Sequence, residues 1–233
     1  ILFSAIRWKF MIRKKAFITL LESTQLILAA SSLNLLLPSK MGDLSKGYFL
    51  KNKGKMDLKR GTNVVIFERY IDLVALGVLA LTGILVTGEW GYSSLVMTLF
   101  AILILGGVLL IQKGGLPVLE KFKLGSKIQS FLVDTGDYLG ELKKNPLDLL
   151  WVILMSLFLW FLHLLQFYCI FLALETGVSL FGVFSQVPLA ILAGLIPMTL
   201  AGVGTRDAAL IALFSGTVPL ASMIFVGLFA SFR

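Results

Sequence analysis

Little in this chain is equipped for covalent chemistry. It holds one cysteine and one histidine in 233 residues. The lone Cys169 excludes an intrachain disulfide, and its place inside an apolar run predicts a small buried hydrophobe. His163 stands in mid-span with no cysteine or acid at metal-ligand spacing, so a hydrogen-bonded packing residue is expected rather than a metal site. No cofactor and no metal are expected. Charge is scarce too: 15% of the residues are charged against 58% hydrophobic, and the mean hydropathy is +0.92. That balance excludes a soluble domain with an ordinary surface. There is no Walker loop to hydrolyse ATP, and Gly202-Val203-Gly204 lacks both a third glycine and a preceding strand, which discounts a dinucleotide site. Ile1 to Ile6 is too short for the apolar part of a signal peptide, and Arg7 follows it instead of preceding it. With no initiating methionine and an apolar run ending at Arg233, a chain incomplete at both ends is expected.

What is present is apolar length. Runs of about 20 apolar residues, enough to cross a hydrocarbon core of about 30 Å, recur several times. They predict an all-α, polytopic transmembrane helix bundle in one integral membrane domain. The net charge of +8 comes from basic residues gathered in a few short segments between these runs. This is the pattern of cytoplasmic loops, so topology rather than a nucleic-acid partner accounts for it. Contact with anionic lipid headgroups, at about 1 kcal/mol per surface basic residue, is compatible with it.

In order, Arg7, Lys9, Arg13, Lys14 and Lys15 open the chain on the cytoplasmic side. Residues 16–50 carry an apolar stretch with strongly basic flanks at both ends. A simple span would put one flank outside, so a re-entrant hairpin is favoured, its tip at Asn34 to Gly42 and its returning helix from about Gly42 to Leu50. Two spans follow in 64–111, the first with Glu68, Arg69 and Asp72 in its first turns. The segment 113–146 reads as a cytoplasmic amphipathic helix on the membrane surface. A span at 147–174, a second re-entrant hairpin at 181–216 and a last span at 218–233 complete the chain.

Two breaks resemble one another. Pro38, Lys40, Gly42 and Asp43 with Lys46 answer to Pro197, Gly202, Gly204, Thr205, Arg206 and Asp207: an apolar run, proline, glycine, then acid and base opening a helix. Entering from opposite sides, they would form an inverted repeat, whose interrupted segments point to a transport site. Half-helix N-termini favour an anion such as phosphate. Arg206 would add a bidentate grip and Lys46 a point charge. Asp43 and Asp207 have a competing role as caps of their own helices. Glu68 and Asp72 share a helix face at i, i+4, and Arg69 reaches Asp72 at i, i+3. An ion pair anchoring the span is one reading, a cytoplasmic gate or a proton-coupling carboxylate the other.

At these residues the chain resembles the flippase-like membrane domain of the lysylphosphatidylglycerol synthases, or multiple peptide resistance factors, and their stand-alone relatives. The resemblance rests on Asn34 to Asp43 with Lys46, on Phe67 to Asp72, reading Phe-Glu-Arg-Tyr-Ile-Asp, and on Ile196 to Ala209, in the family's order. It departs where the family often has glutamate at Asp43 and Asp207, and in its fewer spans. It implies a prokaryotic plasma-membrane domain, multi-pass with cytoplasmic basic loops, that moves phospholipids or lipid-linked headgroups between leaflets. The synthases' lysine transfer belongs to a separate soluble domain of a size this chain lacks, so no transferase activity is expected. A small-solute or ion secondary transporter of the same architecture is the alternative. A homo-oligomer is compatible with either.

Overall fold

The structure is a computed structural model that describes residues 1–37, 41–88, 145–195 and 204–231. Among these, every regular element is a helix: α1 Leu2–Ile12, α2 Leu20–Leu36, a 3-10 turn Met41–Leu44, α3 Ser45–Asn52, α4 Leu58–Thr87, α5 Pro146–Ala173, α6 Leu180–Ala193, α7 Thr205–Phe214 and α8 Leu220–Ser231. The predicted span at 91–111, nearly all of the amphipathic segment at 113–146, and Pro38, Lys40, Pro197 and Gly202 lie outside the described residues. Helices α4 and α5 are 30 and 28 residues long. At 1.5 Å per residue they reach about 45 and about 42 Å, more than a hydrocarbon core of about 30 Å requires. Both are apolar enough to cross one.

The chain divides into two compact units. Of the described residues, the first unit gathers 1–28, 44–74 and 145–156. Its core joins Trp8 and Ile12 of α1 to Leu26, Leu50, Phe67 and Val152. Helix α2 opens with a reciprocal cap: the Glu22 N–H donates to Thr19 Oγ1 (3.1 Å) and the Thr19 N–H to Glu22 Oε2 (3.0 Å). This is the Thr-x-x-Glu pattern that satisfies two otherwise orphaned donors. The same carboxylate receives Lys53 at 3.1 Å and Lys55 at 2.9 Å, tying the turn after α3 to the start of α2. Helix α4 starts at Leu58, six residues before the expected Val64, with the Asp57 carbonyl accepting the Gly61 N–H (3.0 Å). Glu68 and Asp72 therefore lie about 15 and 21 Å along the helix rather than in its first turns.

The second unit gathers, of the described residues, 29–37, 41–43, 75–88, 157–195 and 204–231. Its core is aromatic and β-branched, with Trp160, Phe167, Phe171, Val187, Phe214 and Val226. Ser179 caps α6, its Oγ accepting the Gly182 N–H at 3.0 Å. Helix α7 packs against both α6 and α8. His163 is buried and meets Trp160 and Phe167 edge-on, at 5.5 and 5.2 Å between ring centroids, a packing environment. Cys169 differs from the expected buried hydrophobe: it is exposed, on the same helix as exposed Leu154, Phe158, Phe161 and Leu162. An apolar helix that displays such residues is suited to lipid contact, which is why an apolar neighbourhood in sequence did not mean burial in protein. After residues 38–40 the chain comes back onto α2. A Cβ on Gly42 would stand 2.6 Å from the Asn34 nitrogen and 2.8 Å from the Ala30 carbonyl oxygen.

Close approach also sets the first unit, where a Cβ on Gly61 of α4 would lie 2.8 Å from the Gly47 Cα of α3. Only hydrogen fits there. Gly61→Ala should therefore force α3 off α4 and lower stability by about 1–3 kcal/mol. Gly216→Ala, where nothing lies within 4 Å, should stay within about 0.5 kcal/mol. Unfolding in detergent micelles would compare them, and equal midpoints would contradict the close helix contact.

Candidate functional site

Near the middle of α4, Glu68 and Asp72 are buried, at 2% and 5% exposure, as are Arg7 of α1 and Lys46 of α3, at 3% and 1%. Arg7 holds the two carboxylates together. Its Nη2 donates to Glu68 Oε1 at 2.6 Å, while Nη1 donates to Asp72 Oδ1 at 2.5 Å and to Ser156 Oγ of α5 at 2.7 Å. Lys46 Nζ donates to the second Glu68 oxygen, Oε2, at 2.9 Å, and rests over the Trp8 ring, 4.9 Å from its centroid. Arg69 sits at the rim, 3.4 Å from Glu68 and 3.2 Å from Asp72.

The i, i+4 spacing of Glu68 and Asp72 explains the arrangement. Both acids point from one face of α4, one turn apart, so a planar guanidinium can bridge them. Burying an ion removes several kcal/mol of hydration, and only close pairing with further hydrogen bonds restores it. Two buried cations, Arg7 and Lys46, face two buried carboxylates, with Arg69 as a further cation at the rim. Among the described residues, the buried polar atoms without a hydrogen-bond partner include Arg7 Nε, Trp8 Nε1 and Asn63 Oδ1 in this unit. Two of these three are N–H donors. The network thus has donors left over for an anion.

A second polar cluster stands at the start of α7. Gly204 has a φ of 105°, a conformation L side chains rarely adopt, and its N–H donates to Asp207 Oδ2 at 3.3 Å. Asp207 therefore caps its own helix, one of the two roles expected for it. Arg206 donates to Asp207 Oδ1 from Nε (2.9 Å) and Nη2 (2.7 Å), and Nη2 also donates to the Gly227 carbonyl at 2.8 Å. Arg206 thereby braces α7 against α8. Asp43 is buried, and the residues Asn34, Gly42, Asp43, Gly204, Thr205, Arg206 and Asp207 all fall in the second unit, whereas Lys46, Glu68, Arg69 and Asp72 fall in the first.

The structure thus joins Lys46, expected as a phosphate contact, to Glu68, expected as a gate or coupling residue. Arg7 and Trp8 were not anticipated as site residues. Arg7 reads as one of five opening basic residues, yet Trp8, Met11 and Ile12 stand one, four and five residues after it, the helical spacing of a packed face. That spacing was the available signal.

A family model described as the lysylphosphatidylglycerol synthase TM region matches residues 1–232 of the chain. The chain belongs to this family. The lysylphosphatidylglycerol synthase TM assignment makes it a membrane protein, in keeping with its two long apolar helices. A UPF0104 membrane protein of Methanocaldococcus jannaschii is 33% identical over 193 residues, covering 77% of each chain. No solved structure matches the chain.

In this lysylphosphatidylglycerol synthase TM protein, removing one side of a buried pair should cost more than removing both. Glu68→Gln alone, leaving Lys46 and Arg7 short of a counter-charge, is expected to destabilise by about 3–5 kcal/mol. Adding Lys46→Met should recover part of that, a coupling of about 1–3 kcal/mol. Strict additivity in denaturant unfolding would refute the pairing.

Proposed function

We propose that the protein is a lipid flippase, moving a phosphate-bearing headgroup, of a phospholipid or a lipid-linked substrate, between the leaflets of a prokaryotic plasma membrane with its basic loops cytoplasmic. One observation carries this reading: Arg7, Lys46, Glu68 and Asp72 form a buried ionic network with Arg69 at its partly exposed rim, and the N–H donors Arg7 Nε and Trp8 Nε1 are buried there without hydrogen-bond partners. Ionisable groups inside a membrane are expensive and mark pathways or sites. A network that were only an anchor would need no unused donors.

In this reading a headgroup phosphate enters past the partly exposed Arg69 and meets the N–H donors of Arg7 and Trp8 while its acyl chains stay in the bilayer. The two interrupted segments form re-entrant hairpins of an inverted repeat. In the second unit, Asn34, Asp43, Thr205, Arg206 and Asp207 are further candidate headgroup contacts, with the α7 N-terminus offering backbone N–H groups to the anion. Glu68 and Asp72 hold the cations apart when no headgroup is bound and act as the gate. The protein works as a transporter and not as a lysyl transferase, and it uses no cofactor.

Leaflet exchange of headgroup-labelled phosphatidylglycerol in proteoliposomes tests the reading. The intact protein should accelerate exchange. Arg69→Gln, at the partly exposed rim of the network, should slow it at least about tenfold, the worth of a charge-assisted hydrogen bond of about 1.5–3 kcal/mol. Arg206→Ala should abolish it in protein that still elutes as a folded species. Exchange unaffected by both substitutions would remove these residues from the mechanism, and no exchange of any anionic phospholipid would favour the small-solute or ion transporter.

A further inference from the structure

We infer that a groove on the outer face of α1, separate from the buried network, binds an anionic membrane phospholipid as a resident ligand, with its phosphate at Lys9 and Arg13 and an acyl chain along Ile6, Phe10, Leu20 and Trp151. The groove encloses about 280 Å³ and these six residues line it. It sits just below the ~300–1,000 Å³ of small-molecule sites, room for part of a lipid rather than a whole one. This inference goes beyond the transport reading and does not rest on it.

Ile6, Lys9, Phe10 and Arg13 recur at i, i+3, i+4 and i+7, so one face of α1 builds most of the wall. That face is neither wholly apolar nor wholly charged. Phe10 stacks on Trp151 with ring centroids 4.0 Å apart, giving a flat aromatic floor. The Arg13 guanidinium lies over Phe10, 3.8 Å from the ring centroid, at the edge of that floor. An apolar floor edged with cations has the charge pattern of an anionic amphiphile lying lengthwise. Tryptophan at such a boundary is also where a membrane interface places it.

Charge complementarity selects an anionic lipid over a zwitterionic one, and its size can be estimated. Arg13 shares its charge with Asp148, at 2.7 Å, which also holds Lys14 at 2.6 Å. Lys9 has no ion pair among the described residues and is half-buried in the wall. Lys9 therefore supplies most of the preference, about fivefold for one basic residue near a membrane surface.

The test uses the full chain in detergent micelles doped with phosphatidylglycerol or phosphatidylcholine dibrominated on an acyl chain, because bromine quenches tryptophan on contact. The part of the quenching that disappears in Trp151→Phe, which keeps an aromatic ring against Phe10, reports on the groove. Saturable quenching of Trp151, about fivefold tighter for the phosphatidylglycerol and reduced to the phosphatidylcholine level by Lys9→Gln, is the expected result. Equal quenching by both lipids, or a preference that survives Lys9→Gln, would overturn the proposal. Full relief of the quenching by millimolar inorganic phosphate would also overturn it, by showing that the cations serve free phosphate and the apolar floor holds no chain. The readout is binding in micelles, so it is independent of whether the protein transports lipid.

Discussion

Two carboxylates in the interior of an apolar helix stay ionised only if cations reach them without water. That constraint governs the first unit. Glu68 and Asp72 lie one turn apart on α4, and the side chains that answer them come from elements far away in sequence: Arg7 from α1, Lys46 from α3, and the Ser156 hydroxyl from α5. Each must arrive with its charged end at hydrogen-bond distance. The short residues that let the helices approach, Gly47 against Gly61, follow from that requirement as much as the charges do.

Such a network is weak evidence of stability, since buried ion pairs often contribute no more than well-packed apolar residues of the same volume. It is better evidence of a task. A purely structural cluster is most stable when its charges balance and its donors are all used. This one has buried N–H groups without partners, at Arg7 Nε and Trp8 Nε1, a composition that suits an anion visiting the site. At α7, by contrast, Arg206 spends its donors on Asp207 and on carbonyls of α8. Its contribution to transport is therefore to hold the α7 N-terminus in place as much as to touch a headgroup.

Composition and run length made the helical membrane class legible, because hydropathy reports directly on the solvent a segment prefers. The spacing of Glu68, Arg69 and Asp72 was also legible, since i, i+3 and i, i+4 are properties of any helix. Lys46 was singled out, but as a phosphate contact. Its partner Glu68 is 22 residues away, and a tertiary pairing leaves no trace in local spacing. Arg7 was hidden among Lys9, Arg13, Lys14 and Lys15, where counting charge to infer topology treats a buried arginine and a solvated lysine alike. Cys169 shows the complementary blindness: an apolar neighbourhood signals absence of water, and lipid satisfies that as well as protein does.

On the proposed function, the Arg7 to Asp72 network with Arg69 at its rim favours an anion entering from water. The most direct measurement places a thiol inside it, with Ser156→Cys in a Cys169→Ser background, and follows modification in membranes by anionic and cationic methanethiosulfonates of similar size. Each rate is divided by the same reagent's rate on a free thiol. Faster normalised reaction is expected with the anionic reagent, with the preference falling when Arg69→Gln removes the rim cation. Preference for the cationic reagent, or no reaction with either, would contradict it.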